Sequence, residues 1–158
     1  MAWQKQSSVS LSVAGDNLST GTITAKKFMQ LLTHIFPSGV VDFEETFNND
    51  TTTYASRQSD DGVADGTLVT QANIDIHVDD DDDLFVVQEI INISDEEKLV
   101  ISHSVSRNTA GAGTAPSRRE QVAKHDNTVS QITEVDIDNA LAAVNYNTDS
   151  NITSPGTN

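Results

Sequence analysis

From Ser8 to Val13 polar and apolar residues alternate without a break, placing Val9, Leu11 and Val13 on one face of an extended strand. Ala14-Gly15-Asp16-Asn17 reads as a turn, and Thr22-Ile23-Thr24 starts the return. Val41 to Phe47 reads as a further strand ending in the loop Asn48-Asn49-Asp50, and Thr67 to Val78 alternates again with Ile74, Ile76 and Val78 in phase. The most apolar segment, Leu84 to Ile93, has the character of a central strand. The tight connection Ser94-Asp95-Glu96-Glu97 leads from it into Lys98 to Val105, which predicts a hairpin. Val129 to Ile137 alternates as a late strand. Residues 28–36 are ambiguous: Phe28, Leu31, Leu32, Ile35 and Phe36 fall at helical spacing, so periodicity alone favours a helix, yet Pro37-Ser38-Gly39 follows at once, a buried strand shows an equally dense apolar run and the all-β context points to a strand.

Short apolar stretches between turns rich in Thr, Ser, Asn and Asp are the texture of an all-β domain. The 158 residues suit one domain with its own core. Counting strands gives about eight, which fits a two-sheet β-sandwich of jelly-roll type. No solenoid-length repeat occurs, and the polar end from Asn151 to Asn158 is expected to be a loosely held tail.

Composition narrows the function classes. Nine basic against 24 acidic side chains give a net charge of −15, which repels phosphate backbones and argues against nucleic-acid binding. The acid is mostly aspartate and lysine is scarce, so the surface would stay hydrated in concentrated salt; a high-salt habitat and an ordinary acidic protein both fit. Without cysteine there is neither a disulfide framework nor a thiolate metal site. No signal-peptide core and no bilayer-length apolar run occur, so no membrane insertion is expected.

Candidate chemistry is sparse. The run Asp79-Asp80-Asp81-Asp82-Asp83 lies between two strands. Asp79, Asp81 and Asp83 are spaced as ligands of a divalent cation such as Ca²⁺ would be, but Leu84 stands where an EF-hand loop needs glycine and no glutamate closes the site. A solvated loop that blunts a sheet edge is the competing reading. The acidic loop Asp60 to Gly66 reads as ordinary turn chemistry. His34, His77, His103 and His125 form no metal-ligand pattern, and Ser102-His103-Ser104 lacks the elbow and oxyanion donors of a nucleophile site. The pairs Glu44/Glu45 and Glu96/Glu97 point to opposite faces and cannot flank one bond; they are assigned to solvated turns and edges. Of four Asn-x-Ser/Thr sequons, the one at Asn92 lies in the apolar strand, where a glycan would not fit. The Gly/Ala-rich loop Asn108 to Pro116, followed by Arg118-Arg119, is the best interaction candidate. Asn108, Gly111 and Gly113 allow close approach by a neighbouring chain, and Arg118 and Arg119 would seek its carboxylates or pair internally with Glu120.

Several segments taken together resemble a family of small structural proteins of tailed viruses. They are Trp3 ahead of Ser8-Val9-Ser10-Leu11, Ala14-Gly15-Asp16, Ala25-Lys26-Lys27-Phe28, Phe47-Asn48-Asn49-Asp50 with Tyr54-Ala55-Ser56-Arg57, Leu99 to His103, Asn108 to Gly113, Pro116 to Glu120 and Gln131-Ile132-Thr133. The resemblance runs in order over most of the chain. It implies a jelly-roll-like module on the particle, as capsid decoration, turret or fibre head, with Lys27 to Phe36 a strand. The Asp79 to Asp83 run and the polar C-terminal segment depart from that family's pattern. The expectation is a non-enzymatic homo-oligomer, trimer or pentamer, on the virion surface beside other virion proteins and facing the host. A receptor- or glycan-binding fibre head is the runner-up, weakened because Trp3, Tyr54 and Tyr146 are the only Trp and Tyr residues.

Overall fold

A computed structural model describes residues 2–77, 81–141 and 144–158. Among them there is no helix. Twelve strands form two antiparallel sheets that face each other as a β-sandwich. In chain order they are β1 (Gln4–Ser10), β2 (Asn17–Ser19), β3 (Phe28–Ile35), β4 (Phe43–Phe47), β5 (Tyr54–Asp60), β6 (Gly66–Gln71), β7 (Ile74–Asp75), β8 (Leu84–Ile91), β9 (Lys98–Ser106), β10 (Ser117–His125), β11 (Val135–Asn139) and β12 (Asn151–Thr157). The large sheet has eight strands in the order β1-β12-β3-β8-β9-β10-β5-β6; the small one has four, β2-β11-β4-β7.

The hairpin expected around Ser94 to Glu97 is present as β8 and β9, paired from Leu84↔Ser106 to Ile91↔Leu99. The ambiguous segment is strand β3. Met29, Leu31, Thr33 and Ile35 point into the sandwich while Phe28 stays exposed and Leu32 half-buried. Apolar residues on both faces hide the two-residue period, which is why its spacing mimics a helix.

Three expectations need correction. Among the described residues the strand count is twelve: β2 and β7 span only three and two residues, and β5, β10 and β12 are largely polar segments without apolar alternation. Val13 is exposed, since β1 ends at Ser10. Residues 151–157 are no loose tail: β12 lies between β1 and β3, with Ile152, Ser154 and Gly156 turned inward. Its ladders to two neighbours satisfy the backbone, so a polar sequence is held as an interior strand. Gly156 is required there, because a Cβ would come within 2.8 Å of the Lys26 side chain.

The apolar core gathers where β3, β8 and β12 face β4 and β11, around Leu31, Phe43, Phe47, Ile90, Ile137 and Ile152. Phe43 stacks on Tyr146, and Tyr54 stacks on His125 with ring centroids 4.4 Å apart. The Tyr54 hydroxyl accepts from the Phe47 amide at 2.8 Å and donates to the Asp50 carbonyl at 2.9 Å, tying the β4–β5 loop shut. Removing it leaves a buried N–H unsatisfied, so Tyr54→Phe is expected to destabilise the fold by about 1–3 kcal/mol in denaturant titration.

Under β9 and β10 the interior changes character. β9 turns Lys98, Val100, Ser102, Ser104 and Ser106 inward and Leu99, Ile101, His103 and Val105 outward. β10 turns Arg119, Gln121, Ala123 and His125 inward. Alternation alone would bury the apolar set of β9. Lys98 shows what holds the observed register: its buried ammonium donates to the carbonyls of Ile93 and Glu96 in the preceding turn. The large sheet therefore has a partly polar inner face and an apolar outer one.

Candidate functional site: the outer face of the large sheet

The outward apolar side chains near the middle of the large sheet are Phe85, Val87 and Ile91 on β8, Leu99, Ile101 and Val105 on β9, and Val122 on β10, interspersed with Glu89, His103 and Glu120. Leu99, Ile101 and Val122 keep 49, 52 and 53% of their surface open to solvent. Ile101 and Val122 are direct cross-strand partners, so these apolar surfaces merge. The sheet curves around them into a trough of about 900 Å³, walled at one end by Trp3 and Phe28 and at the other by Thr67 and Val69. Charge is thin here. From β5, β8, β9 and β10 the outward side chains include two acids, Glu89 and Glu120, and three bases, Arg57, Arg118 and Lys124. In a chain of net charge −15 the acid therefore lies elsewhere.

The residues singled out from sequence fall in different places. Asn108, Gly111 and Gly113 lie in the exposed β9–β10 connection, whose residues from Asn108 to Pro116 carry no charge. Arg118 is exposed and pairs with Glu120 at 2.7 Å. Arg119 departs from expectation. Only 3% exposed, it points into the sandwich and meets Asp60 at 2.6 Å and Asp75 at 2.8 Å, so its charge is taken within the chain. Asp60, assigned to turn chemistry, is thereby one jaw of a buried clamp.

Asp79 lies outside the described residues. Asp81 is exposed, while Asp82 and Asp83 are held by Arg107 at 2.7 and 3.2 Å. The Arg107 amide also donates to the Asp83 carbonyl, so the described part of the acidic run is fastened to the end of β9. No cluster of three or more His, Asp or Glu side chains suited to a metal occurs among the described residues. Ser102 and Ser104 face inward and His103 outward, so they form no nucleophile pair. Asn92 is buried and clamps the Ile132 backbone through both its amide atoms.

Glu45 also needs correction. It is fully buried, not part of a solvated edge, and burial pushes its carboxyl up to about 8 against the single hydrogen bond from Gln88. The sequence carried a signal for this: Phe43, Glu45 and Phe47 share one strand face, and the two phenylalanines mark that face as internal.

Compared with known proteins, the chain matches no family model, no curated protein sequence and no solved structure.

Proposed function

We propose that this chain is a non-enzymatic structural module of jelly-roll type that works as a homo-oligomer on the surface of a tailed virus particle, as capsid decoration or turret. The observation that carries the self-assembly is the apolar, nearly charge-balanced trough on the large sheet. Contiguous exposed apolar surface on an otherwise highly charged protein marks a contact face. A second copy is the fitting occupant. The trough contains both signs of charge at its border, so identical chains meet there without the repulsion that their other surfaces impose. Because the face is concave, it does not lie flat against another trough. A head-to-tail contact, in which the uncharged loop from Asn108 to Pro116 of one copy enters the trough of the next, gives a ring when its rotation is that of a trimer or pentamer and an open filament otherwise. The place on a virion rests on the sequence resemblance. Strong surface acidity suits a particle exposed to concentrated salt.

A glycan-binding fibre head is the second reading, favoured by the exposed Trp3 at the trough's end. Tyr54 and Tyr146 are buried, so Trp3 has no second Trp or Tyr platform. Sedimentation velocity of the full chain over a concentration series tests the assembly. A discrete trimer or pentamer at about 10–100 μM is expected for a face of this kind. A monomer throughout that range overturns it, and sugar capture by that monomer supports the fibre head. Detection of the chain on purified particles tests the location.

A further inference from the structure

Across the inner face of the large sheet, three polar residues stand in one register row: Gln88 on β8 opposite Ser102 on β9, and Ser102 opposite Gln121 on β10. Each is at least 97% buried. From the small sheet Glu45 reaches down onto the row, its Oε2 accepting from Gln88 Nε2 at 2.7 Å. The amide orientations are fixed by what they donate to. Gln88 Nε2 is committed to Glu45, and Gln121 Nε2 donates to Gln58 Oε1 and the Asp75 carbonyl, both at 3.1 Å. Four buried oxygens then have no hydrogen-bond partner: Glu45 Oε1, Gln88 Oε1, Ser102 Oγ and Gln121 Oε1. Three of them are obligate acceptors when Glu45 is ionised, and the register sets Gln88 and Gln121 on strands to either side of Ser102.

We propose that Glu45, Gln88, Ser102 and Gln121 form an internal binding site for a desolvated monovalent cation, sodium or potassium, held between the two sheets. Oxygen donors alone suit a hard cation, and a single carboxylate suits one positive charge; calcium sites commonly recruit several carboxylates. Charge in the surroundings agrees. Arg119 beside Asp60 and Asp75 sums to one net negative charge, so an ionised Glu45 makes two; His77, hydrogen-bonded to Ser104, and the buried Tyr54 hydroxyl are among the titratable groups nearby. Above the raised pKa of about 8 Glu45 is ionised, and a water molecule would then satisfy acceptors but leave the carboxylate uncompensated. The strongly acidic exterior raises the cation concentration around the protein. This site also explains why a sandwich would keep a polar row where apolar side chains would pack. The ion neutralises Glu45 and ties the small sheet to three strands of the large one.

The test uses the full chain at pH 8.5 in sodium, potassium or choline chloride at equal ionic strength, so that general screening is common to all three. Wild type is expected to melt about 5 °C higher in sodium or potassium than in choline, the size of shift that binding to the folded state alone produces. Glu45→Gln, which keeps the shape and removes the charge, should abolish the difference, and Ser102→Ala should reduce it. Equal melting in the three salts, or a difference that survives Glu45→Gln, overturns the proposal. Crystals soaked in thallium(I) give an independent readout: an anomalous peak among the four oxygens supports the site, and its absence from that position overturns it.

Discussion

For the homo-oligomer proposed above, replacing Ile101 by aspartate and Val122 by threonine is expected to leave a monomer that is still folded. The two side chains face each other at the centre of the trough, and both are about half open to solvent in the isolated chain. Their contribution to the single chain's stability is therefore small, within about 1 kcal/mol for the pair, as surface substitutions usually are. In an assembly the same positions are the best candidates for the desolvated centre, where a buried charge without a partner removes at least about 2 kcal/mol of binding and loss of a second apolar contact adds to it. The expected weakening is about 100-fold or more, seen as a monomer boundary in sedimentation at concentrations where wild type is assembled. Threonine at 122 avoids two like charges directly opposite one another, which would weaken the ladder itself. Added salt should strengthen wild-type association, because screening removes repulsion between chains of net charge −15 while the apolar contact persists. An unchanged assembly in the double variant, with its melting temperature intact, would place the interface elsewhere.

How much of this was legible in the sequence depends on where apolar residues sit relative to both sheet faces. β8 and β9 are legible because a long apolar run meets a short acidic turn and another apolar run. β3 is not, because Phe28 and Leu32 fill the outer face while Met29, Leu31 and Ile35 fill the inner one. β12 is missed for the opposite reason: Ser154, Pro155 and Gly156 carry no apolar signal, and only the neighbours β1 and β3 make that segment internal. The inner face of β10 is the hardest case. Arg119, Gln121 and His125 alternate with Arg118, Glu120 and Lys124, two polar sets that periodicity cannot tell apart. What separates them is tertiary: Asp60, Asp75 and Gln58 wait on β5 and β7 for one set and not the other.

The same tertiary dependence makes Arg119 the single side chain whose loss should be felt most in the fold. Its guanidinium joins three strands, because Nε donates to Asp60 of β5 at 2.6 Å while Nη1 donates to the Asp75 carbonyl of β7 and pairs with its carboxylate, both at 2.8 Å. β7 belongs to the small sheet and β5 and β10 to the large one, so this residue is an electrostatic bolt between layers. Arg119→Met keeps most of the aliphatic volume but leaves the half-buried carboxylates of Asp60 and Asp75 without their shared cation. Breaking a fully buried pair by removing one partner is worth about 3–5 kcal/mol. Asp60 and Asp75 retain roughly a third of their side-chain exposure and can recruit water, so the lower end, about 3 kcal/mol, is the expected loss. For a domain of this length that corresponds to a fall of about 6–12 °C in melting temperature. Adding Asp60→Asn and Asp75→Asn to Arg119→Met removes the stranded charges and should recover a large part of the loss, because a neutral, well-filled interior often matches the ion pair it replaces. If the triple variant is no more stable than Arg119→Met, packing rather than uncompensated charge sets the role of this residue.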